Sequence, residues 1–403
     1  MSAEAGADIK APGMPRVGVI GGGQLARMLA EAATPLGVHV RVLASPVDEG
    51  APEVVPDTVV GDHADPAVLA AFADSVDVVT FDHENVDHDL LLGLESRGVA
   101  VRPSVETLRY SDKAHQRRTF AAAGVPVPDF VVVAGGGAGG DADDVARAVE
   151  FAERHGGEAV VKASRGGYDG RGVWILDAAS VGGFVSDWAG APLVLEPRLD
   201  LAVELAVLVA RRPSGEVATW PVVETVQVDG MCDEVLLPAP VDAELQAEAR
   251  AIGEQVAALV GATGVIAIEL FVVDDPSGGR RVLVNEIAPR VHNSGHLTIE
   301  ASATSQFEQH LRAVLDWPLG PTASTAAVAA MVNIVGDGVH EPLTRQAFAL
   351  AEVPGAHVHL YGKSARQARK VGHVTVLGDD LVSVRSAANT AANLLAGSPR
   401  TTG

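Results

Sequence analysis

The chain has 403 residues, of which 47% are hydrophobic and 20% are charged, and its formal net charge at pH 7 is −22. The length exceeds the roughly 250–300 residues over which one hydrophobic core usually grows, which predicts two or three domains. The negative charge argues against nucleic acid or an acidic membrane surface as a partner, and the absence of a long apolar run or a leader pattern predicts a cytoplasmic protein.

The first hundred residues predict alternating strands and helices of an open parallel sheet. The segment RVGVIGGGQLARMLAEAATPLGVHVRVLAS reads as strand, glycine turn, helix and second strand, the order of a doubly wound unit. A helix is predicted around Pro66–Phe72, and further strands at Val76–Phe81 and Val99–Arg102. This pattern favours a Rossmann-like domain over residues 1–111.

A glycine turn follows the first strand. Residues Gly21 to Ala26 fit the pattern G-x-G-x-x-G/A, whose glycines let a backbone approach phosphate at a helix N-terminus. A dinucleotide site also needs an acidic residue about 20 positions further on, at the tip of the second strand. That tip is Leu43-Ala44-Ser45-Pro46, and Asp48 and Glu49 lie beyond the proline. The turn therefore indicates either a plain tight turn or a seat for another phosphate, and it argues against a nicotinamide site.

The rest of the chain predicts two further α+β units. Residues 112–200 begin with a helix around Asp112–Ala123 and continue with a helix and antiparallel strands, which predicts a small α+β domain. Residues 201–403 contain long strands, a helix at Asp242–Val260, a strand hairpin, and shorter strands before a closing helix. We expect this C-terminal domain to end in a small strand-rich portion.

Two glutamates interrupt the strands of that hairpin. Glu269 stands at the centre of Val265–Val273, which is apolar on both faces, and Glu286 interrupts Arg281–Ile287. Antiparallel pairing can place the two side by side, although an ionised carboxylate in a dry sheet is costly. A Mg²⁺ ion would offset this cost, because it typically takes one or two protein carboxylates plus phosphate oxygens. We predict a magnesium site at Glu269 and Glu286, with Asn285 beside it. The alternative is that arginine neutralises both acids: Arg280, Arg281 or Arg290.

Lysine is rare, so its placement is informative. All 30 basic residues are arginine except Lys10, Lys113, Lys162, Lys363 and Lys370. Lys162 ends an apolar strand just before SRGGYDGRG, which predicts a flap whose backbone N–H groups can fold over phosphates; an ordinary glycine hairpin is the alternative. Glu196 and Glu204 bracket a turn that suits a nucleotide-binding hinge or, equally, a solvated turn. The basic cluster at residues 363–370 predicts an anion site or a solvated turn.

Taken in order, these features resemble the ATP-grasp ligases. Four segments, GGGQLARM, KASRGGYDGRG, NEIAPRVHNSGH and QARKVGH, resemble the N5-carboxyaminoimidazole ribonucleotide synthetases within that superfamily. The similarity covers Val17 to about Leu395, and PRVHNSGH is its most specific part, since the formate-dependent glycinamide ribonucleotide transformylases continue differently there. The resemblance implies an ATP-grasp fold with an N-terminal Rossmann-like domain, a small α+β lid domain and a C-terminal α+β domain.

The resemblance also implies three groups of contacts. ATP would contact Arg109, Lys162, Gly167, Tyr168, Asp169, Gly170, Arg171, Gly172, Val173, Glu196, Pro197, Arg198, Leu199, Glu204, Gln227, Asn285 and Glu286. Mg²⁺ would bind Glu269 and Glu286. The aminoimidazole ribonucleotide would contact Gly23, Gln24, Leu25, Glu84, Tyr168, Asp169, Arg171, Arg290, His292, Asn293, Lys363, Arg369 and Lys370. Gln227 departs from the pattern, because some relatives have a histidine there.

The activity implied by the resemblance is ATP-dependent carbon–nitrogen ligation in purine biosynthesis. Bicarbonate would attack the γ-phosphate of ATP, and the exocyclic amine of aminoimidazole ribonucleotide would take the carbon of the resulting carboxyphosphate. Catalytic roles would fall to Arg290, Lys162, Asp169 and Asn293, and members of the family are commonly homodimers. Three alternatives stay open: another ATP-grasp carboxylase or transformylase, a nicotinamide oxidoreductase, and a non-catalytic nucleotide sensor.

Overall fold

A computed structural model of the chain describes residues 13–134, 142–167, 171–275 and 278–397. Each of its three sheets corresponds to one stretch of the sequence. Across these described ranges, no helix combines the length and the apolar character needed to cross a membrane.

The N-terminal sheet is parallel, as its alternating pattern predicts. Its elements are β1 (Arg16–Ile20), α1 (Gln24–Leu36), β2 (His39–Ala44), β3 (Thr58–Val60), α2 (Pro66–Ala73), β4 (Val78–Phe81), α3 (His88–Ser96) and α4 (Val105–Leu108). The strand order is β3-β2-β1-β4. The predicted strand at Val99–Arg102 is reduced to a single bridge between Val79 and Val101, because Pro103 follows and cannot donate to a ladder.

The central sheet is antiparallel and small. The elements of this part of the chain are α5 (Lys113–Ala122), β5 (Val131–Val133), α6 (Ala142–Arg154), β6 (Glu158–Ala163), β7 (Val173–Asp177), α7 (Ala178–Asp187) and β8 (Leu193–Glu196). The strand order is β5-β8-β6-β7. Asp112 caps α5 by accepting hydrogen bonds from the backbone N–H groups of Ala114 and His115, which satisfies donors that a helix start leaves open. This cap fixes the point at which α5 begins, and therefore the position of Lys113, the first residue of the helix.

The C-terminal sheet is the largest. It is built from β9 (Leu201–Arg211), β10 (Val217–Thr219), β11 (Val223–Val228), β12 (Met231–Leu237), α8 (Ala243–Leu259), β13 (Gly264–Asp274), β14 (Arg280–Ala288), α9 (Thr298–Ala301), α10 (Gln306–Val314), β15 (Val328–Gly336), α11 (Pro342–Glu352), β16 (His357–Leu360), β17 (Arg369–Gly378) and α12 (Leu381–Ala396). The strand order is β14-β13-β9-β11-β12-β15-β17-β16, with β10 beside β9.

The apolar face of α8 packs against β9 and β13. Val256 and Ala249 on the helix, and Val207, Ile266 and Ile268 on the strands, belong to one core cluster. Burial of such side chains contributes roughly 1.5–3 kcal/mol each, so the middle of β13 is held rigidly. Glu269 follows Ile268 directly, and its position is therefore set by the core behind it.

Candidate active site

Two carboxylates lie opposite each other on β13 and β14. The register pairs Glu269 with Glu286, whereas Leu270 pairs with Val284. This bulge leaves Asn285 outside the register, and bulges re-aim side chains that strict alternation would send to opposite faces. Asn285 and Glu286 both accept hydrogen bonds from lysines of the same region. The strands thus bring together the acids that the sequence predicts as metal ligands.

The two acids differ in their protonation behaviour. Burial raises the pKa of Glu269, and the neighbouring Glu286 and Glu204 carboxylates raise it further. Burial also acts to raise the pKa of Glu286, but the Lys113 ammonium, which donates a hydrogen bond to it, more than offsets this, so the pKa of Glu286 lies below its usual value. His292 Nε2 lies 3.3 Å from Glu269 Oε1. Glu286 is therefore held as a carboxylate, and Glu269 beside it favours a proton or a cation.

The donor set fits a hard divalent cation. Oxygen ligands are what Mg²⁺ prefers, and it usually keeps waters and takes only one or two protein carboxylates. Among the residues that the structure describes, no three His, Cys, Asp or Glu side chains form a ready-made cage. A cation between Glu269 and Glu286 would therefore complete its coordination with oxygens of a bound ligand and water.

Lys162, at the end of β6, is fixed by Glu196. Its ammonium lies 2.7 Å from Glu196 Oε2 and donates to Asn285 Oδ1 at 3.0 Å. Arg117 Nε donates to the other Glu196 oxygen at 2.5 Å. Burial acts to raise the pKa of Glu196, but Lys162 and Arg117 outweigh it and the pKa is lowered. The Glu196 carboxylate is thus committed to two cations, and it places Lys162 next to the acid pair.

The residues predicted for the nucleotide hinge connect β8 to β9: Pro197, Arg198 and Leu199. On β9, Glu204 pairs in register with Phe271. Burial raises the pKa of Glu204 to about 7, while the nearby Lys162 acts in the opposite direction. Glu204 therefore lies near Lys162, and at neutral pH it can exist in either protonation state.

A cavity of about 1220 Å³ opens beside the carboxylates. The predicted site residues in its wall are Gln24, Leu25, Glu84, Arg109, Gly167, Gln227, Glu269, Glu286, Arg290, His292, Asn293 and Lys370. The other predicted residues that the structure describes are not part of this wall: Gly23, Lys162, Arg171, Gly172, Val173, Glu196, Pro197, Arg198, Leu199, Glu204, Asn285, Lys363 and Arg369. Tyr168, Asp169 and Gly170 lie outside the described residues. The wall therefore joins the predicted substrate residues to the acid pair.

Arg290 is held by a carboxylate of the N-terminal part of the chain. Its Nε and Nη2 donate to Glu84 Oε2 and Oε1 at 2.6 and 3.1 Å, and Nη1 donates to Val291 O at 3.1 Å. This bidentate geometry fixes the plane of the guanidinium. Asn293 exchanges two amide hydrogen bonds with Asn333, of 2.9 and 2.8 Å. Arg290 and Asn293 therefore have defined orientations at the cavity wall.

Three other predicted ATP contacts, Arg109, Gly167 and Gly172, lie in exposed segments. Arg109 Nη1 is 3.0 Å from Glu106 Oε2, a surface pair that contributes little to stability. In the flap, a Cβ at Gly167 would lie 2.7 Å from Arg171 O, and Gly172 has a φ of +76°. The flap therefore needs glycine at both positions for its own backbone to turn.

The basic loop between β16 and β17 contacts the N-terminal part of the chain. Lys363 donates to Gln24 Oε1. Glu49 accepts from Ser364 N at 2.8 Å, Arg369 Nη1 at 2.7 Å and Arg366 Nη2 at 2.9 Å. The Ser364 amide and Arg369 lower the pKa of Glu49 to about 2. Arg369, predicted to meet a substrate phosphate, is thus paired with a carboxylate of the chain itself.

The glycine turn is occupied by side chains of the chain. Asp48 accepts from Gly22 N at 3.0 Å, and Asp82 accepts from Gly23 N at 2.5 Å and Leu25 N at 3.1 Å. These carboxylates take the amides that a dinucleotide phosphate would need. The geometry therefore agrees with the sequence-based argument against a nicotinamide site.

Sequence reasoning missed four residues that the site uses: Lys113, Arg117, Glu49 and Asp82. The rarity of lysine is a signal that could have drawn attention to Lys113. The other three carry no local signal, because their partners lie 79 to 320 positions away, or 57 to 59 for Asp82. Their roles become visible only when the three sheets are brought together.

Three family models match the chain. The model described as "Ribonucleotide synthetase preATP-grasp domain" matches residues 14–112, the "ATP-grasp domain" model residues 118–307, and the "Phosphoribosylaminoimidazole carboxylase C-terminal domain" model residues 329–387. These matches confirm the fold class predicted from the sequence.

Curated relatives cover nearly the whole chain. The N5-carboxyaminoimidazole ribonucleotide synthase of Corynebacterium ammoniagenes is 43% identical over 391 residues, 95% of this chain and 92% of the relative. The enzyme of the same name from Mycobacterium tuberculosis H37Rv is 44% identical over 389 residues, 94% of this chain and 88% of the relative. Identity at this level and coverage confirms the resemblance seen in the motifs.

Solved structures agree with the sequence relatives. N5-carboxyaminoimidazole ribonucleotide synthetase from Thermus thermophilus superposes with a TM-score of 0.80 at 36% identity, covering 94% of this chain and 98% of that one. The Aspergillus clavatus synthase, solved with ADP and 5-aminoimidazole ribonucleotide, gives a TM-score of 0.81 at 29% identity, covering 95% and 99%.

Proposed function

The chain belongs to the N5-carboxyaminoimidazole ribonucleotide synthase family, and from this membership we propose how its own residues divide the work. The chain is an ATP-grasp ligase that carboxylates 5-aminoimidazole ribonucleotide at the expense of ATP in purine biosynthesis. The observation that carries the proposal is the register pair of Glu269 and Glu286 at the cavity wall. Lys113 donates to Glu286, and Lys162 donates to the neighbouring Asn285.

We assign the ATP phosphates to the region between Lys162 and the acid pair. Lys162 and Lys113 supply positive charge there in a protein whose net charge is −22. Phosphoryl transfer depends mainly on positioning and charge neutralisation. Glu196 holds Lys162 in place through its buried carboxylate. The adenosine contacts stay predictions. They are assigned to the hinge, Glu204, Gln227, Arg109 and the flap of residues 167–173.

Mg²⁺ is the cofactor that we propose for Glu269 and Glu286, with Asn285 as a neighbour. The two carboxylates lie in register, and burial together with Glu286 and Glu204 raises the pKa of Glu269. A positive charge beside Glu269, supplied by a proton or by a cation, is therefore favourable. When bound, Mg²⁺ would neutralise charge on the terminal phosphates. With Glu286 holding the cation, Lys113, which donates to Glu286 in the ligand-free protein, would be available to a phosphate oxygen.

We propose that Arg290 holds bicarbonate and then carboxyphosphate. A guanidinium has five N–H groups, and the hydrogen bonds to Glu84 and Val291 O use three of them. The remaining N–H groups of Arg290 can donate to an anion in the cavity, whose wall also contains His292 and Asn293. A bicarbonate oxygen forms the bond to the γ-phosphorus as ADP leaves. The amine nitrogen then bonds to the carboxyl carbon, phosphate leaves, and the nitrogen loses one proton.

The remaining site residues are assigned to the ribonucleotide by proposal. Gly23, Gln24, Leu25 and Glu84 would meet it from the N-terminal part of the chain, and Tyr168, Asp169 and Arg171 from the flap. Lys363, Arg369 and Lys370 would meet its phosphate, which requires Arg369 to exchange Glu49 for that phosphate. Domain limits at residues 1–111, 112–200 and 201–403, a homodimer and a cytoplasmic location are further proposals.

Phosphate release from ATP tests this function. Bicarbonate and aminoimidazole ribonucleotide are supplied separately and together, and the imidazole product is followed in parallel. We expect fast release only when both are present, with one phosphate released per ribonucleotide carboxylated. Release that ignores the imidazole would instead favour another ATP-grasp carboxylase or transformylase.

A further inference from the structure

The N-terminal turn of α1 holds an internal anion. Gly23 N and Leu25 N donate to the two different oxygens of Asp82, at 2.5 and 3.1 Å. The first amides of a helix point outward, and the helix dipole favours negative charge there. In nucleotide-binding folds of this type, a ligand phosphate commonly takes that position. Here the chain supplies the anion itself, from the end of β4.

Asp82 is buried, and burial has the largest effect on its protonation. The pKa of Asp82 lies above its usual value, although the charges of His83, Lys363 and Arg290 and the Gly23 amide act to lower it. Its two oxygens accept hydrogen bonds from two different backbone N–H groups, and such bonds favour the carboxylate form. The two amides therefore act against the effect of burial.

The same contact explains a glycine of the turn. A Cβ at Gly23 would lie 2.4 Å from Asp82 Oδ2. Gly23 has an ordinary extended conformation, with a φ of −80°, so backbone strain does not require glycine there. The requirement comes from the close approach of the Asp82 carboxylate.

Gln24 lies in the sequence between Gly23 and Leu25, the two residues whose backbone N–H groups donate to Asp82. Its side chain lines the cavity and accepts a hydrogen bond from Lys363. Asp82 is also the strongest of the charges that oppose the lowering of the pKa of Lys363 by burial. Asp82 thus acts on Gln24 through the backbone and on Lys363 through its charge.

We propose that Asp82 is a positioning residue for the substrate's phosphate. It takes the anion position of the glycine turn and thereby fixes Gln24 and Lys363, two of the groups that bind this phosphate at the cavity. The turn amides themselves bind none. This inference rests on the proposed function, because it takes the ribonucleotide as the occupant of that part of the cavity.

The test is Asp82→Asn, which keeps the size of the side chain but loses its charge and one acceptor oxygen. We expect the KM for aminoimidazole ribonucleotide to rise about tenfold or more, the usual effect of losing a charge-assisted hydrogen bond. The KM for ATP should change little, and the thermal midpoint, which is measured in parallel, should show that the variant stays folded at the assay temperature. Asp48→Asn is the matched control, because Asp48 caps the same turn through Gly22 N and Ser45 N but does not hold Gln24; it should leave all KM values within about twofold.

A double-mutant cycle separates positioning from general damage to the fold. Gln24→Ala should also raise the KM for aminoimidazole ribonucleotide. The double variant Asp82→Asn, Gln24→Ala should have a KM only slightly higher than that of either single variant, because both changes remove the same phosphate contact. The inference is overturned if the KM for the ribonucleotide is unchanged in either single variant, if both substrates lose affinity equally, or if the two effects multiply. If Asp82→Asn does not fold, the Gln24→Ala result decides alone. Turnover of the wild type is measured first. If the wild type does not carboxylate aminoimidazole ribonucleotide, the proposed function is contradicted, and not the role of Asp82.

Discussion

Lys113 donates a hydrogen bond to Glu286, the carboxylate that the strand register sets opposite Glu269. The contact joins the start of α5 to the end of β14, 173 positions apart in the sequence. In the protein without ligands, an ammonium thus neutralises one of two acids that would otherwise repel each other. Because the neutralising group is a flexible lysine and not a rigid guanidinium fork, it can move aside for a metal ion.

Removing either acid should raise the demand for magnesium. In Glu269→Gln or Glu286→Gln, one charged ligand is lost, and the Mg²⁺ concentration for half-maximal phosphate release should rise about tenfold or more. Glu224→Gln is the matched control, since burial also raises the pKa of this acid but it lies outside the cavity wall. An unchanged magnesium dependence in both site variants would remove the acid pair from the mechanism.

Replacing Lys113 should expose its part in the ligand-free state. Lys113→Met leaves the Glu286 carboxylate, which is partly exposed, without its cation. Allowing for that exposure, we expect a loss of about 1–2 kcal/mol in the free energy of unfolding. Mg²⁺ should then stabilise this variant more than the wild type, because the ion takes the place of the ammonium. Lys113→Arg keeps the charge and should behave closer to the wild type.

Urea unfolding with and without Mg²⁺ measures this difference without recourse to turnover. Equal stabilisation of Lys113→Met and the wild type by the ion would show that Lys113 and the cation do not share a site.

Truncating Arg290 should separate nucleotide binding from carboxylation. Arg290→Ala removes the donors aimed at the anion, and kcat should fall about 100-fold or more, as for other preorganised donors at a reacting oxyanion. The affinity for ATP, measured by equilibrium binding, should stay within about twofold. Arg290→Lys should not restore the rate, because an ammonium cannot reproduce the bidentate contact with Glu84. Normal turnover in Arg290→Ala would contradict the assignment.

The sequence was sufficient for the acid pair because Glu269 and Glu286 break apolar strands, a pattern that a single chain displays without any partner. It also predicted the parallel N-terminal sheet and the helix that begins at Lys113. It could not give the bulge at Asn285, because no glycine or proline marks that place. Nor could it predict the contact of Glu196 with Arg117 and Lys162, or of Glu49 with Arg369, since such pairs depend on how separate sheets meet.

His310 should make the fold sensitive to acid. Its Nδ1 accepts from Val265 N at 3.0 Å and its Nε2 bonds with Thr80 Oγ1 at 2.8 Å, an arrangement that suits the neutral ring, and burial lowers its pKa to about 4. The unfolded chain takes up a proton below about pH 6.5 while the folded chain does not until about pH 4, so stability falls as the pH drops through this window. Between about pH 6 and 5 the loss is about 1 kcal/mol.

The comparison of His310→Gln with the wild type isolates this contribution. The variant should be less stable at about pH 7.5, but its free energy of unfolding should fall less steeply between about pH 6 and 5, by about 1 kcal/mol. Glu204, with its pKa raised to about 7, acts in the opposite direction, but it does so equally in both proteins and cancels. His357→Gln, an exposed histidine on β16, should keep the wild-type slope. Equal slopes for His310→Gln and the wild type would mean that His310 takes up its proton in the folded protein as readily as in the unfolded one.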